Sequence, residues 1–310
     1  MLSDLFTTSV LIGILASGIR LATPYLYAAI GETFGQRSGM LNLGVDGIML
    51  MGAFSGFYVV LLTNNLWLGL LAAIIVGGLM GLATAFINVT LQAQQGISGI
   101  GVFLFGLGLS DLLFQKLVRT VETVRTFPET PVPLLNAIPV VGDIFFNQNI
   151  LVYGAYLLVP LAWFILNKTT LGLKIQSVGE NPAAADSLGV SVTGVRYFTV
   201  ILGSVLAGIA GASLSIALLG VFQQNLTNGM GFIAVALVYF GGWRPLGVLA
   251  GSLIFSLINS LQIWVQVKDI PISSDVAIML PYILTILVLV LSSGRFRQPS
   301  ALTKPYDRAG

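Results

Sequence analysis

Apolar runs almost free of charge recur along this chain of 310 residues. Most are about 20 residues long or longer, the length a helix rising ~1.5 Å per residue needs to cross a hydrocarbon core ~30 Å thick. Inside such a core every backbone donor and acceptor must be paired within the protein, so each run is expected to be helical. That ruler places spans near 5–29, 42–62, 66–90, 97–117, 149–167, 196–219, 229–240, 245–266 and 275–292. The expected fold is therefore all-α, a polytopic helical membrane protein with about nine spans and limits of eight and ten. The seventh run is too short to span unless its helix is broken or re-entrant. The chain reads as one membrane domain, 1–310, with an outer loop over 118–148 and a polar segment over 168–195.

Composition narrows the function. Hydrophobic residues make up 56% and charged residues 8% of the chain, against roughly a quarter charged in soluble domains. Cysteine and histidine are both absent, which removes disulfides, thiolate chemistry, imidazole proton relays and most transition-metal sites. No clustered acid pair suggests an enzyme, and no G-x-x-x-x-G-K-[ST] loop is present to bind ATP. The small basic excess is better explained by membrane orientation than by nucleic acid. Met1–Asp4 has no basic region and no small-residue cleavage pattern follows before Ile30, so the N-terminus reads as the first span.

The polar island Lys168–Ala212 stands out against this background. Asn181 is suited to cap a helix, Pro182 to occupy its first position, Ala183–Leu188 to propagate it and Gly189 to stop it. Thr193 is expected to cap the span that follows. A short, well-capped helix standing outside the membrane needs a surface to dock against. Glu180, Asn181 and Asp186 are its expected exposed polar groups, and Ala183, Ala184 and Ala185 its smooth face.

Basic residues give the orientation. With the C-terminus cytoplasmic, the inside collects Arg37, Lys168, Lys174, Arg196, Arg244, Arg295, Arg297, Lys304 and Arg308, and the outside holds Lys116, Arg119, Arg125 and Lys268. An odd span count then puts the N-terminus outside. The outer connection Arg119–Asn149 carries Pro128, Pro131, Pro133 and Pro139 and is expected to be a stiff loop rather than a domain.

Polar residues break the apolar pattern inside the membrane in two places. Asn42 and Asp46 lie four apart in Ser38–Gly47, where a carboxylate at bilayer depth must face protein or a water-filled cavity. Such a pair either lines a pathway or fixes a helix break by bonding free backbone groups. The second place is Asn225–Phe232, NLTNGMGF, ahead of the short seventh run. Broken helices in corresponding positions of two halves point to a transport site. Candidate pathway residues are Asn42, Asp46, Phe103, Phe105, Gly229, Gly231 and Phe232. The clustered glycines at Gly77-Gly78 and Gly81, Gly99–Gly108 and Gly203–Gly211 read first as close helix packing.

Three strings carry a family resemblance: GENPAAADSLGVSVTGVRYFTVILGSVLAGIAGA, GMLNLGVDGIMLMGAF at Gly39–Phe54, and GMGFIAVALVYFGGWRPLGVLAG at Gly229–Gly251. They resemble the membrane permeases of ABC importers for branched-chain amino acids, simple sugars and nucleosides, and the match covers most of the chain. The resemblance implies two inverted halves around a central pathway. It also implies that Glu180, Asn181, Pro182, Ala183, Ala184, Asp186 and Gly189 couple the spans to a cytoplasmic ATP-binding subunit, where ATP and magnesium reside; this chain itself carries no cofactor. Further implied partners are an extracellular or periplasmic substrate-binding protein, a second and different permease subunit with a homodimer as the fallback, and the lipid of a bacterial inner membrane. The string GETFGQRSGMLNLGVDGIMLMGAF resembles the nucleoside and simple-sugar branch. The alternative is an ion-coupled secondary transporter, for which Asp46, Asp111 and Arg20 are nearly the whole supply of charge within the spans.

Overall fold

The computed structural model describes residues 8–267 and 297–307, together with Met279, Ile283, Ile286, Leu287 and Val290. Ten helices follow in order among the described residues: α1 (Thr8–Arg37), α2 (Val45–Thr63), α3 (Leu66–Ala85), α4 (Gln95–Leu113), α5 (Ile150–Lys168), α6 (Thr170–Glu180), α7 (Pro182–Ser187), α8 (Val192–Ala212), α9 (Met230–Phe240) and α10 (Pro245–Val267). Seven helical segments are long and apolar enough to cross a membrane, and α9 is a shorter apolar helix. These match the first eight expected runs, with the seventh short as anticipated. Most of the expected ninth span, 275–292, and Lys268, Arg295 and Arg308 lie outside the described residues, so nine spans are not established.

Boundaries moved where capping or burial outweighed the apolar pattern. α1 continues to Arg37 instead of stopping near 29, because Glu32 and Gln36 find buried partners and no longer mark an end. α8 is capped by Ser191, whose hydroxyl accepts from the Gly194 amide, two residues before the expected Thr193. The polar segment holds a further helix, α6, ahead of the expected short one. Its buried face, Gly172, Ile175, Val178 and Gly179, has the three-and-four spacing of an amphipathic helix.

The centre of the bundle is α8 packed against α1, α2 and α3. Lipid tails are as apolar as leucine, so close van der Waals packing must hold such helices together. α3 illustrates the solution: Gly69, Ala73, Gly77 and Gly81 form a buried seam at every fourth residue, while Leu68, Leu71, Ile75, Leu79 and Leu82 are exposed on its other sides. Across that seam, a Cβ on Gly77 would lie 2.7 Å from the Ser204 carbonyl of α8, and one on Gly208 would lie 2.5 Å from the Ala73 carbonyl. Gly52 of α2 meets Gly208 in the same way, and Gly31 of α1 meets Gly203. The glycine clusters are thus used for backbone approach, apart from Gly101 and Gly108 on the open face of α4, where an added Cβ meets nothing within 4 Å.

The connection over 118–148 is tied down, as expected of a stiff loop. Two short strands, β1 (Glu129–Pro131) and β2 (Asn147–Asn149), pair antiparallel, and Thr123 bridges Val221. Arg20 of α1 reaches this loop, bonding Gln148 at 2.8 Å and Glu129 at 2.6 Å. It anchors the loop rather than serving a pathway.

A methyl group on Gly211 would sit 1.8 Å from the Met49 carbonyl oxygen. Gly211→Ala is expected to destabilise the fold by about 1–3 kcal/mol through overpacking, whereas Gly101→Ala is expected to be neutral or slightly stabilising. Thermal melting of the two purified variants in detergent, followed by size exclusion, checks both.

Candidate translocation site

α9 has 11 residues, about 16 Å of helix, so it crosses only part of the membrane. The chain reaches its start through an irregular stretch in which Gly220, Asn225, Asn228 and Gly229 all have positive φ. The free amides at a helix start need partners in a medium without water. Asp46, in the first turn of α2, supplies one: its Oδ1 accepts from the Gly231 amide at 2.7 Å and its Oδ2 from the Thr227 hydroxyl at 3.0 Å. Both Asp46 and Thr227 are fully buried. The carboxylate therefore lies at the starts of two helices, where a negative charge is favoured. Gly231 is required for this approach, since a Cβ there would lie 2.4 Å from the Asp46 backbone.

A second polar network holds the turn between α1 and α2. Glu32 Oε1 accepts from Gln36 and from the Asn42 amide, each at 3.0 Å, and Gln36 accepts from the Trp243 indole at 2.7 Å. The Asn42 side chain accepts from the Gly44 amide at 2.9 Å, closing a local turn. Glu32, Gln36 and Asn42 are all buried.

Above the start of α9 lies a cavity of about 400 Å³, within the size range of small-ligand pockets, roughly 300–1,000 Å³. Tyr25 of α1, Phe255 of α10 and Met230 of α9 contribute apolar and aromatic wall, and Asn228, Asn259 and Gln262 contribute amides. Leu214 and Leu218, which close another side, come from the stretch Ser213–Leu219 at the end of α8, which is wound with the wider π turn. Such π segments recur at functional sites. None of the described residues lining the cavity is charged. Tyr25 and Asn259 each lie 12 to 14 residues from the same end of the bundle, marked by Arg37 and Pro245, so the cavity sits about 20 Å from that end.

That end carries the polar segment. Asn181 caps α7, accepting from the Ala184 amide at 3.1 Å, with Pro182 at the first helical position and Gly189 at φ +82° past the last. Ala183, Ala184, Leu173 and Leu188 are exposed, the last two at 70% and 84%. The chain's last described residues fold back over this segment. Ala301 donates to the Gly179 carbonyl and Thr303 to the Gly39 carbonyl, while the Ser300 hydroxyl donates to Glu180 at 2.8 Å and the Tyr306 hydroxyl to Asp186 at 3.1 Å.

The sequence profile described as "Branched-chain amino acid transport system / permease component" matches residues 14–289. The chain belongs to that permease family. Among its relatives, TsgC13 of Haloferax volcanii, provisionally named a glucose ABC transporter permease protein, is 37% identical over 323 residues, covering 96% of this chain and 98% of the relative. The nucleoside ABC transporter permease protein NupC of Lactococcus lactis is 37% identical over 301 residues, covering 93% and 94%. The guanosine ABC transporter permease protein NupQ of Bacillus subtilis is 37% identical over 302 residues, covering 92% and 93%. No solved structure matches.

The permease gathers its expected pathway residues only in part. Asp46, Gly229 and Gly231 meet at the start of α9, beneath the cavity, but as the support of the helix break. Asn42 does not share a helix face with Asp46, because α2 begins at Val45; it belongs to the preceding turn. Phe103 and Phe232 pack edge to face at 5.1 Å away from the cavity lining, and Phe105 is 60% exposed on the outer surface of α4. Of the NLTNGMGF stretch, Leu226, Thr227, Asn228 and Met230 line the cavity. Asn259 and Gln262 were passed over, although two amides three apart inside an apolar run carry the signal, since that spacing puts both on one helix face. In the polar segment, Ala185 is buried rather than part of the smooth face, and Arg196, counted among the basic residues of the inner side, is also buried.

Asp46→Ala leaves the Gly231 amide and the Thr227 hydroxyl without their buried acceptor, at about 1–3 kcal/mol each. Asp46→Asn keeps one acceptor oxygen and is expected to cost less. Melting of the single variants and of each combined with Thr227→Val, read as a double-mutant cycle, measures the coupling.

Proposed function

We propose that this permease forms part of the pathway of an ATP-driven importer for an uncharged polar solute, a nucleoside ahead of a simple sugar. The observation that carries the reading is the charge-free, amide- and aromatic-lined cavity at the broken helix α9. A half-helix start facing a pathway commonly attracts an anionic substrate group; here Asp46 of the protein already occupies that position, which favours a neutral cargo. Amides from Asn228, Asn259 and Gln262 suit the hydroxyls and ring nitrogens of such a cargo, and Tyr25 and Phe255 suit a flat base. Relatives named for guanosine, nucleosides and glucose agree with this class.

The drive comes from a separate cytoplasmic ATPase with its own ATP and magnesium, docked on the α6–α7 end through Leu173, Ala183, Ala184 and Leu188. On this reading that end and the tail at 297–307 are cytoplasmic, the N-terminus is outside, and the 118–148 loop meets the substrate-binding protein. A second, different permease completes the pathway, with a homodimer as the alternative. The membrane is a bacterial inner membrane.

Uptake of radiolabelled nucleoside by proteoliposomes holding the permease with its co-expressed neighbours tests both parts. Asn259→Leu is expected to raise the KM about tenfold or more, the size of effect when a buried hydrogen-bonding partner is lost, with ATP hydrolysis retained. Leu188→Glu is expected to abolish stimulation of the ATPase with the KM for binding-protein delivery unchanged. Uptake driven by a proton or sodium gradient and indifferent to ATP would refute the importer reading.

A further inference from the structure

The connection between α4 and α5 has two chemically unlike parts. Residues 119–131 carry Arg119, Glu122, Arg125 and Glu129, whereas 132–142, VPLLNAIPVVG, hold no charge and Asn136 as their one polar side chain, before Asp143 ends the stretch. Every residue from Pro133 to Val141 is exposed, Leu134 at 90%. An apolar stretch left open in this way marks an interaction surface. Its backbone is largely provided for: the amides of Asn136, Gly142 and Ile144 donate one turn back, to the Val132, Ile138 and Val140 carbonyls, and Pro133 and Pro139 have no amide to satisfy. A segment built so needs little water.

α1 and α5 fix the level at which this surface lies. Counting about 20 helical residues per hydrocarbon core back from Arg37, the basic residue that ends α1, puts the far edge of the core near residue 17. The same count from Lys168 at the end of α5 puts it near residue 149. Ile144 shares a buried cluster with Ile19 of α1 and Val152 of α5, and Ile12 packs against it, so the stretch is seated at that edge. It is also at the rim of the bundle. Leu15 stands one turn from both Ile12 and Ile19 on the same strip of α1 and is itself exposed. The ladder between β1 and β2 closes the stretch at its base, and Arg20 holds Glu129 and Gln148 at the same level.

We propose that residues 133–141 lie in the headgroup region of the leaflet on the side away from α6–α7, with Leu134, Leu135, Ile138 and Val141 among the first methylenes of the acyl chains. An interfacial segment settles about 5–10 Å into the boundary between headgroups and chains, the level that the two helices give. A soluble partner is met by a surface about as polar as the rest of the protein. That description fits residues 119–131 instead, which stay in water and remain open to the binding protein of the proposed import system. The proposal depends on neither cargo nor ATP, so its failure leaves the importer reading standing.

The chain has no cysteine, so single cysteines report on single positions. Leu134→Cys, Ile138→Cys and, as the water-facing reference, Glu122→Cys are each labelled with the environment-sensitive dye NBD in the full-length permease and reconstituted into phosphatidylcholine liposomes without binding protein. At 134 and 138 the emission is expected to be blue-shifted, quenched by a lipid spin-labelled near its headgroup and protected from iodide supplied on both faces, with the reverse at 122. Adding Ile138→Glu to Leu134→Cys is expected to restore iodide quenching and adding Ile138→Val is not, with melting of each variant as the control for folding. Iodide quenching at 134 and 138 equal to that at 122 would overturn the proposal. Protection from iodide without quenching by the lipid label would replace the lipid with a protein cover such as a second permease. Protection that appears only when binding protein is added would make the stretch a docking surface for that protein instead.

Discussion

The Asp46 carboxylate joins two places where the chain stops being regular inside the membrane. A helix start leaves amides that water cannot reach, and an interrupted span is stable only if the protein supplies acceptors. Asp46 does so from the first turn of α2, reaching the Gly231 amide and the Thr227 hydroxyl of the stretch that leads into α9. Placing α9 in this way leaves the cavity between Tyr25, Asn228 and Asn259 above it. A charge that is costly at bilayer depth is thereby matched by donors, and the same charge removes the site's appetite for anions.

The remainder of the bundle is arranged to keep that junction rigid. Without a hydrophobic drive between helices in lipid, α2, α3 and α8 approach backbone to backbone through Gly52, Gly77, Gly208 and Gly211. At one end, the Arg20 pairs with Glu129 and Gln148 bind the 118–148 connection to α1. At the other, the tail residues Ser300, Thr303 and Tyr306 bind the α6–α7 segment to the turn at Gly39.

Much of this was legible in residue order because membrane burial has few solutions. The span rulers located seven long helices and marked 229–240 as too short, and the Asn181-Pro182…Gly189 signature gave α7 its start and stop, since capping is local chemistry. Legibility failed where a polar residue had a distant partner. Glu32 and Gln36 looked like the end of a span, yet Asn42 and Trp243 satisfy them and α1 continues. Phe103 and Phe105 were plausible by type, but which face of α4 meets protein depends on the packing of Gly47 against Gly106, which no local pattern reveals. Asn259 and Gln262 stand three apart in an apolar run, but that they share a cavity with Asn228 depends on how α10 docks.

By itself, the sequence determined that the chain is a helical membrane protein of the permease family, that its seventh apolar run is broken and that α7 is a capped helix outside the spans. Those properties follow from run length, composition and capping, all of which act over a few residues. Only the tertiary structure decided that Asp46 bonds the start of α9, that Asn228, Asn259 and Gln262 line one cavity, and that the tail bonds Glu180 and Asp186. Each of these depends on hydrogen bonds or packing between residues more than 30 positions apart, and such pairings are fixed by how helices dock rather than by what neighbours them in the chain.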